Sequence, residues 1–364
     1  MEQLQKLLAY LESIIDIDHY NNAIEHQKKT MRFEENGSLC VRITYPIEEF
    51  KPFSMEEAHA DMAKMMYNEL LASISTFEIK DSSMAMLRAN YGVGTLPSAF
   101  GAKSFIVNGN MPWVEHLSKD EIKAVIAKGV PDWKTGFGQK VIETYEFYRE
   151  MLSKYPKCNE AIRLFHPDFQ GPLDVAHLLW GADIYMDMYD EPELVHDLMK
   201  LVTETYIDRM KKVKPYLNDE IDGFNFHWCH LYPGDILLRN DSAVNLSSDM
   251  YKEFSMQYDD MIFDVFGKAS MHFCGRADQW IFDMARSENI LGLNFGHMPN
   301  VVFGQEYLDF LKPEVFDKKK PVISYTLTAE DFEAMDFEKY HTGISYNLSA
   351  NSRKEAEELL ARCK

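Results

Sequence analysis

A (β/α)8 barrel is the fold class this sequence predicts, on three observations. Eight short apolar runs recur along the chain, at residues 39–44, 84–89, 161–165, 223–228, 269–273, 290–294, 321–325 and 343–347. Each is near-continuous rather than alternating, the pattern of a parallel strand buried on both faces. Helical patterns separate them, at 54–74, 118–127 with 138–152, 172–213, 248–266, 278–287, 303–311, 329–335 and 352–363. The competing architecture is an open doubly wound sheet, but no G-x-G-x-x-G follows the first run. Gly92-Val93-Gly94, after the second, lacks the third glycine and the helix start. Repeated strand–helix units of this kind close into a barrel.

Residues 1–38 precede the first strand as a helical extension, amphipathic at its start through Leu4, Leu7, Leu8, Leu11, Ile14 and Ile15. Several later helices open with a hydroxyl and a carboxylate three residues on, which satisfy each other's free amides: Ser54 and Glu57, Ser118 and Glu121, Thr328 and Asp331, Ser352 and Glu355. No linker or low-complexity stretch interrupts the chain, so a single domain is expected over 1–364, with the barrel at 39–364 and an excursion at 101–130.

A formal charge of -20 argues against nucleic acid or an anionic membrane surface as partner, since both need clustered Lys and Arg. A small-molecule substrate is the expectation. Five cysteines at scattered spacing, with no secretory signal before them, read as a reduced cytoplasmic protein. No stretch approaches the ~20 apolar residues of a membrane span.

In a (β/α)8 barrel the functional residues sit at the C-terminal strand ends. Arg88, Asn90 and Tyr91 fall past the second strand, and His166, Asp168 and Gln170 past the third. His227, Cys229 and His230 follow the fourth, and His272, Cys274 and Arg276 the fifth. The sixth adds Asn294 and His297, the seventh Tyr325 and Thr326, the eighth Tyr346 and Asn347. Two His-x-Cys pairs stand out, His227-Trp228-Cys229 and His272-Phe273-Cys274. Strand residues two apart share a face, about 6.5 Å apart along the strand, so each pair aims an imidazole and a thiol together. Together they suggest a mononuclear zinc site with an active thiolate. The plainer reading of either pair is a buried cysteine beside a histidine with its hydrogen bonds satisfied. In the loop at 235–242, Asp241 is a general acid or base, or a partner to a ligating histidine, and Arg239 a clamp for a carboxylate. A surface Arg–Asp pair is the alternative. Arg88 either pairs with a carboxylate such as Asp168 or receives an anionic ligand.

Four segments follow one another in a recognisable order: Gln170-Gly171-Pro172-Leu173-Asp174-Val175-Ala176, Asp190-Glu191-Pro192-Glu193-Leu194-Val195-His196, Leu246-Ser247-Ser248-Asp249-Met250-Tyr251-Lys252-Glu253-Phe254 and His272-Phe273-Cys274-Gly275. Over residues 160–360, and more loosely from 39, the chain resembles the uroporphyrinogen decarboxylase superfamily, whose members are (β/α)8 barrels. The decarboxylases themselves carry Arg-Gln-Ala-Gly-Arg at the first strand and an aspartate after the second. This chain has Val41-Arg42-Ile43-Thr44-Tyr45 and Leu87-Arg88-Ala89-Asn90-Tyr91 there.

The His-x-Cys-Gly element is similar instead to the cobalamin-dependent methyltransferase branch. That resemblance implies one zinc, held by the His and Cys plus a cysteine after the eighth strand, which activates a thiol to take a methyl group from a methylcorrinoid protein. Residues 345–349 contain no cysteine, which leaves Cys229, His227 or His230 to complete the set. The expectation is a methyltransferase acting between a methylcorrinoid and a thiol or methylated small molecule, with a corrinoid protein as partner and a homodimer by family resemblance. Its metal ligands would be His272, Cys274, Cys229 and His227, and its catalytic residues Cys274 and Asp241. Arg88, Asn90, Tyr91, His166, Asp168, Gln170, Arg276 and Tyr325 would bind substrate. Two further expectations stand beside it: a porphyrinogen decarboxylase-like lyase working through Arg88, Arg276 and Asp241, and a non-catalytic barrel that binds a corrinoid or tetrapyrrole.

Overall fold

Most of the apolar runs fold as parallel strands, alternating with helices in an α/β arrangement. The computed structural model describes residues 1–106, 109, 112–296 and 303–364. In chain order the strands are β1 (Cys40–Thr44), β2 (Ala85–Leu87), β3 (Ser104–Phe105), β4 (Trp113–Val114), β5 (Ile162–Leu164), β6 (Glu220–Ile221), β7 (Phe224–His227), β8 (His230–Pro233), β9 (Ile236–Arg239), β10 (Ala269–Cys274), β11 (Ile290–Gly296), β12 (Val322–Thr326) and β13 (Ile344–Ser349). Six of them form one parallel sheet in the order β1-β13-β12-β11-β10-β9, and β2 pairs in parallel with β5.

The two sheets are tied at both seams. Ser82 N donates to Val41 O at 3.0 Å, and Asp81 Oδ2 accepts from Ile43 N at 2.7 Å. On the other side Gly171 N donates to Arg239 O at 2.9 Å, and the buried His166 ring bridges Leu237 O and Pro167 O at 3.1 and 2.9 Å. A Cβ at Gly171 would lie 2.1 Å from Arg239 O, so only glycine permits this approach.

The run at 223–228 corrects the expected strand assignment. It pairs antiparallel with β6 and β8 rather than joining the parallel strands. Trp228 and Cys229 take φ of +41° and +67°, so the chain reverses in a two-residue turn with His227 opposite His230. Both central residues at positive φ define a type I′ hairpin, whose twist matches its strands. The parallel member is β9, inside the segment expected to be a loop.

Reciprocal caps form at Ser54/Glu57, Ser118/Glu121 and Thr328/Asp331. Ser352 caps its helix, but Glu355 reaches Asn351 N instead. The expected helix at 172–213 is three helices, Pro172–Trp180, Ile184–Asp190 and Pro192–Val213, broken at Gly181 (φ +82°) and before Pro192. One contiguous apolar cluster runs from Leu4 to Cys363. No helix among the described residues is long and apolar enough to cross a membrane.

The hairpin β7–β8 packs on β10, β11 and β12 and on the helix Ile17–Met31. It packs tightly at Gly292, where a Cβ would come within 2.9 Å of the Pro233 ring. Alternation along β10 divides its residues between two surroundings. Phe273 packs on Trp280 at 5.0 Å, among the helices. Ser270 donates to Pro233 O at 2.7 Å and His272 meets the Trp228 ring edge-on at 4.6 Å. Ser270, His272 and Cys274 therefore face the hairpin.

Candidate metal centre and its cavity

β10 ends at Cys274, and Gly275 (φ +95°) turns the chain away. On the shared face, Cys274 Sγ lies 3.7 Å from His272 Nε2. β9 lies beside β10, and its chain continues through Asn240, whose N donates to His272 O at 2.8 Å. That register delivers Asp241, whose Oδ1 is 3.4 Å from His272 Nε2 and accepts from Cys274 N at 2.6 Å. The three donor atoms lie within 4.8 Å of one another. Zinc bonds of roughly 2.0–2.3 Å in a tetrahedral set place neighbouring donors about 3.3–3.7 Å apart. The spacings to His272 Nε2 match that range, and an imidazole, a thiol and a carboxylate are all zinc donors.

The surroundings hold the donors in register. His272 Nδ1 meets Asn294 Oδ1 at 2.5 Å, and Asn294 Nδ2 donates to Ile323 O at 2.6 Å. A carbonyl only accepts, so the amide orientation is fixed and Nδ1 donates to Asn294, which leaves Nε2 facing Asp241 and Cys274. The buried Asp174 carboxylate, on the helix Pro172–Trp180, accepts from Asp241 N at 2.9 Å and Ser242 N at 2.6 Å. Burial, then the Asp241 charge, raises its pKa to about 7. Burial also pushes the Cys274 thiol well up, with Asp241 adding to it. At Asp241 burial acts upward, but the hydrogen bond and charge of His272 outweigh it and the carboxyl is held low. Gly296 leaves room for the sulfur, since a Cβ there would lie 2.3 Å from Cys274 Sγ.

Beside these residues lies a cavity of about 390 Å³, reached by His272, Asn294, Arg42, Arg88, Trp228 and Cys229 among others. The Trp228 ring and Arg88 lie where the cavity meets a buried charge network. Arg239 lies over that ring at 4.8 Å, pairs with Asp168 and donates from Nη2 to His227 Nε2 at 2.8 Å. Arg88 reaches Asp168 at 3.5 Å and Glu69 at 3.8 Å. Burial favours the neutral form of Asp168, yet the Arg239 and Arg88 charges hold it below the usual range. Burial, then His166 and the guanidiniums, pushes His227 well down, so it is a neutral acceptor.

The expected site residues thus divide. His272, Cys274 and Asp241 converge. Cys229 lines the cavity from the hairpin turn and His227 is held by Arg239, both outside the cluster. Arg88 lines the cavity while paired, and Asn90 donates to Glu69 at 2.7 Å. Asp168, Gln170 and His166 are buried, with Gln170 donating to Asp168 at 2.6 Å. Tyr91 is core, stacked on Phe137 at 5.1 Å and bonded to Thr144. Tyr325 donates to Gly304 O at 2.7 Å, and Arg276 pairs with Asp278 and lies over the Tyr307 ring at 4.3 Å. His297 lies outside the described residues. Sequence reasoning passed over Arg42, Glu69 and Asp174. A charged residue in the middle of the run 39–44 was the available signal for Arg42.

An α/β protein with paired parallel strands and a three-donor cluster at adjacent strand ends is the class defined here. No family model and no curated protein matches the sequence. Among solved structures, a methyltransferase from Methanosarcina mazei superposes with a TM-score of 0.63 at 14% identity, covering 93% of this chain and 97% of that one. That likeness is one of fold.

Proposed function

We propose that the chain is a single-domain (β/α)8 barrel of the uroporphyrinogen decarboxylase superfamily, and that it transfers a methyl group from a methylcorrinoid carried by a partner protein to a small thiol. Its strands would be β1, β2, β5 and β9 to β13. The observation that carries the reading is the convergence of Asp241 Oδ1, His272 Nε2 and Cys274 Sγ beside a cavity. The fold shared with a methyltransferase supports it. Asp241, His272 and Cys274 would hold one zinc, with Asp241 in place of the cysteine that the family pattern sets after the eighth strand. When bound, the ion supplies a Lewis acid that keeps a substrate thiol ionised at neutral pH.

The chain's own residues do the rest. Asn294 accepts from Nδ1 of His272 and so orients Nε2 toward the ion, and Asp174 anchors the backbone that carries Asp241. Trp228 and Phe165 give the cavity apolar wall. In the transfer a carbon–sulfur bond forms, the thiol proton passes to solvent, and the donor keeps the electron pair of the bond it loses.

Elemental mass spectrometry on protein purified without a metal-affinity tag should find about one zinc per chain, lost in Cys274→Ala and Asp241→Ala. Methylcobalamin demethylation with 2-mercaptoethanol as acceptor should depend on that zinc. Zinc-loaded protein that leaves methylcobalamin intact with every thiol offered would overturn the reaction, and protein that takes up no zinc would overturn the centre.

A further inference from the structure

Two arginines are buried among the described residues, and only one of them is matched by a carboxylate. Arg239 pairs with Asp168. Arg209, on the helix Pro192–Val213, is 3% exposed and has no carboxylate within ion-pair distance among the described residues. Its Nη2 donates to two neutral groups, Asp132 O at 2.7 Å and Thr135 Oγ1 at 2.9 Å, while its buried Nη1 has no hydrogen-bond partner. The charges of Asp208 and Asp132 act on it from farther off, but burial outweighs them and draws its pKa down.

Nη1 is the atom beside Gly138, where a Cβ would lie 2.8 Å from it, and both residues line a cavity of about 10 Å³. Gly138 opens the helix Gly138–Leu152, which has no side-chain cap, so the positive end of that helix meets the same space. Lys212 lines it too, as a second cation, and Thr95 and Phe169 form wall opposite the helices. Water would satisfy the N–H but leave the guanidinium charge unopposed, and an unopposed buried charge is costly. A space that takes one water-sized particle has no room for an organic acid.

We infer that Arg209 Nη1 and the first turn of the helix Gly138–Leu152 bind a single monatomic anion, chloride. The ion joins the loop after β2, the segment 132–135 and the helix Pro192–Val213. It thereby steadies Phe137, whose N donates to Ser98 Oγ at 3.0 Å and whose ring stacks on Tyr91. This site shares no lining residue with the cavity beside the metal centre and stands independently of methyl transfer.

Thermal unfolding in mixtures of sodium chloride and sodium gluconate at constant total salt tests it, because gluconate screens charge equally but is too large for the cavity. The midpoint should rise saturably with chloride, by about 2 °C or more at about 150 mM, and bromide should replace chloride. Arg209→Met lowers the midpoint itself by losing two hydrogen bonds, and it should abolish the chloride dependence. No chloride-specific rise in wild type, or the same rise in a folded Arg209→Met, would overturn the site and leave water there. If Arg209→Met fails to fold, diffraction at the bromine edge from wild-type crystals grown in sodium bromide decides in its place. An anomalous peak beside Arg209 Nη1 supports the site, and its absence overturns it.

Discussion

His227-Trp228-Cys229 and His272-Phe273-Cys274 are the same pattern in sequence and opposite structures in space. The second is extended, so its first and third residues share a face and their donor atoms meet at 3.7 Å. The first spans a hairpin turn, with Trp228 and Cys229 at positive φ, and His227 is pulled to Arg239 while Cys229 faces the cavity. A histidine and a cysteine two apart form a donor pair only where the backbone is extended. The third donor, Asp241, comes from the neighbouring chain segment after β9.

Removing the thiol from each segment should produce the largest contrast. Cys274→Ala should weaken zinc binding by at least about 100-fold, more than a change in a ligand's hydrogen-bond partner costs, whereas Cys229→Ala should hold zinc as wild type does. Competition with a chromophoric chelator measures both, and equal losses would put the two cysteines in one site. Gly296→Ala should come next. Its methyl would lie 2.3 Å from Cys274 Sγ, so the sulfur must rotate away from His272. About a tenfold or greater loss of zinc affinity is expected, with cobalt(II) substitution showing a weaker thiolate charge-transfer band.

The fold was legible where a run is bounded by helical patterns on both sides, as at 39–44 and 269–273, and illegible where two runs adjoin. Residues 223–228 and 236–239 are separated by a third short strand, and a strand that closes a hairpin has the same apolar composition as one buried in a parallel sheet. The turn itself gave no signal, because type I′ turns are marked by Asn-Gly or Asp-Gly and this one is Trp-Cys. Taking the hairpin for a member of the parallel sheet left Asp241 in a loop, read as an acid or base or a partner to a ligating histidine rather than as a third donor beside His272 and Cys274. Asp174 was hidden differently: it lies in the Gln170–Ala176 segment, but its bonds to the amides of Asp241 and Ser242 are tertiary.

Changes behind the donors should have intermediate effects. Asn294→Ala removes the acceptor for His272 Nδ1, which frees the ring and its tautomer, and losses of about 10–100-fold in metal affinity follow from such changes. Asp174→Asn keeps one acceptor and turns the other oxygen into a donor facing a backbone N–H. A donor buried against a donor costs about 1–3 kcal/mol, which should appear as lower stability to urea and as a severalfold weaker zinc site. A loss of stability with zinc affinity untouched would show that Asp174 supports the fold alone.

The smallest expected effect lies in the other segment. Cys229→Gly relieves a left-handed residue, worth about 1 kcal/mol when glycine replaces a side chain there. Against this stands the loss of one small, largely buried side chain that borders the cavity, about 1 kcal/mol for the methylene and its sulfur. The two terms nearly cancel, so urea denaturation should place the variant within about 1 kcal/mol of wild type, with its zinc retained. The same substitution at Cys274 removes a donor atom from extended backbone, where glycine relieves nothing, and has no offsetting gain in stability. If Cys229→Gly lowered stability and zinc binding together, the hairpin turn would be part of the metal centre and the contrast between the two segments would fail.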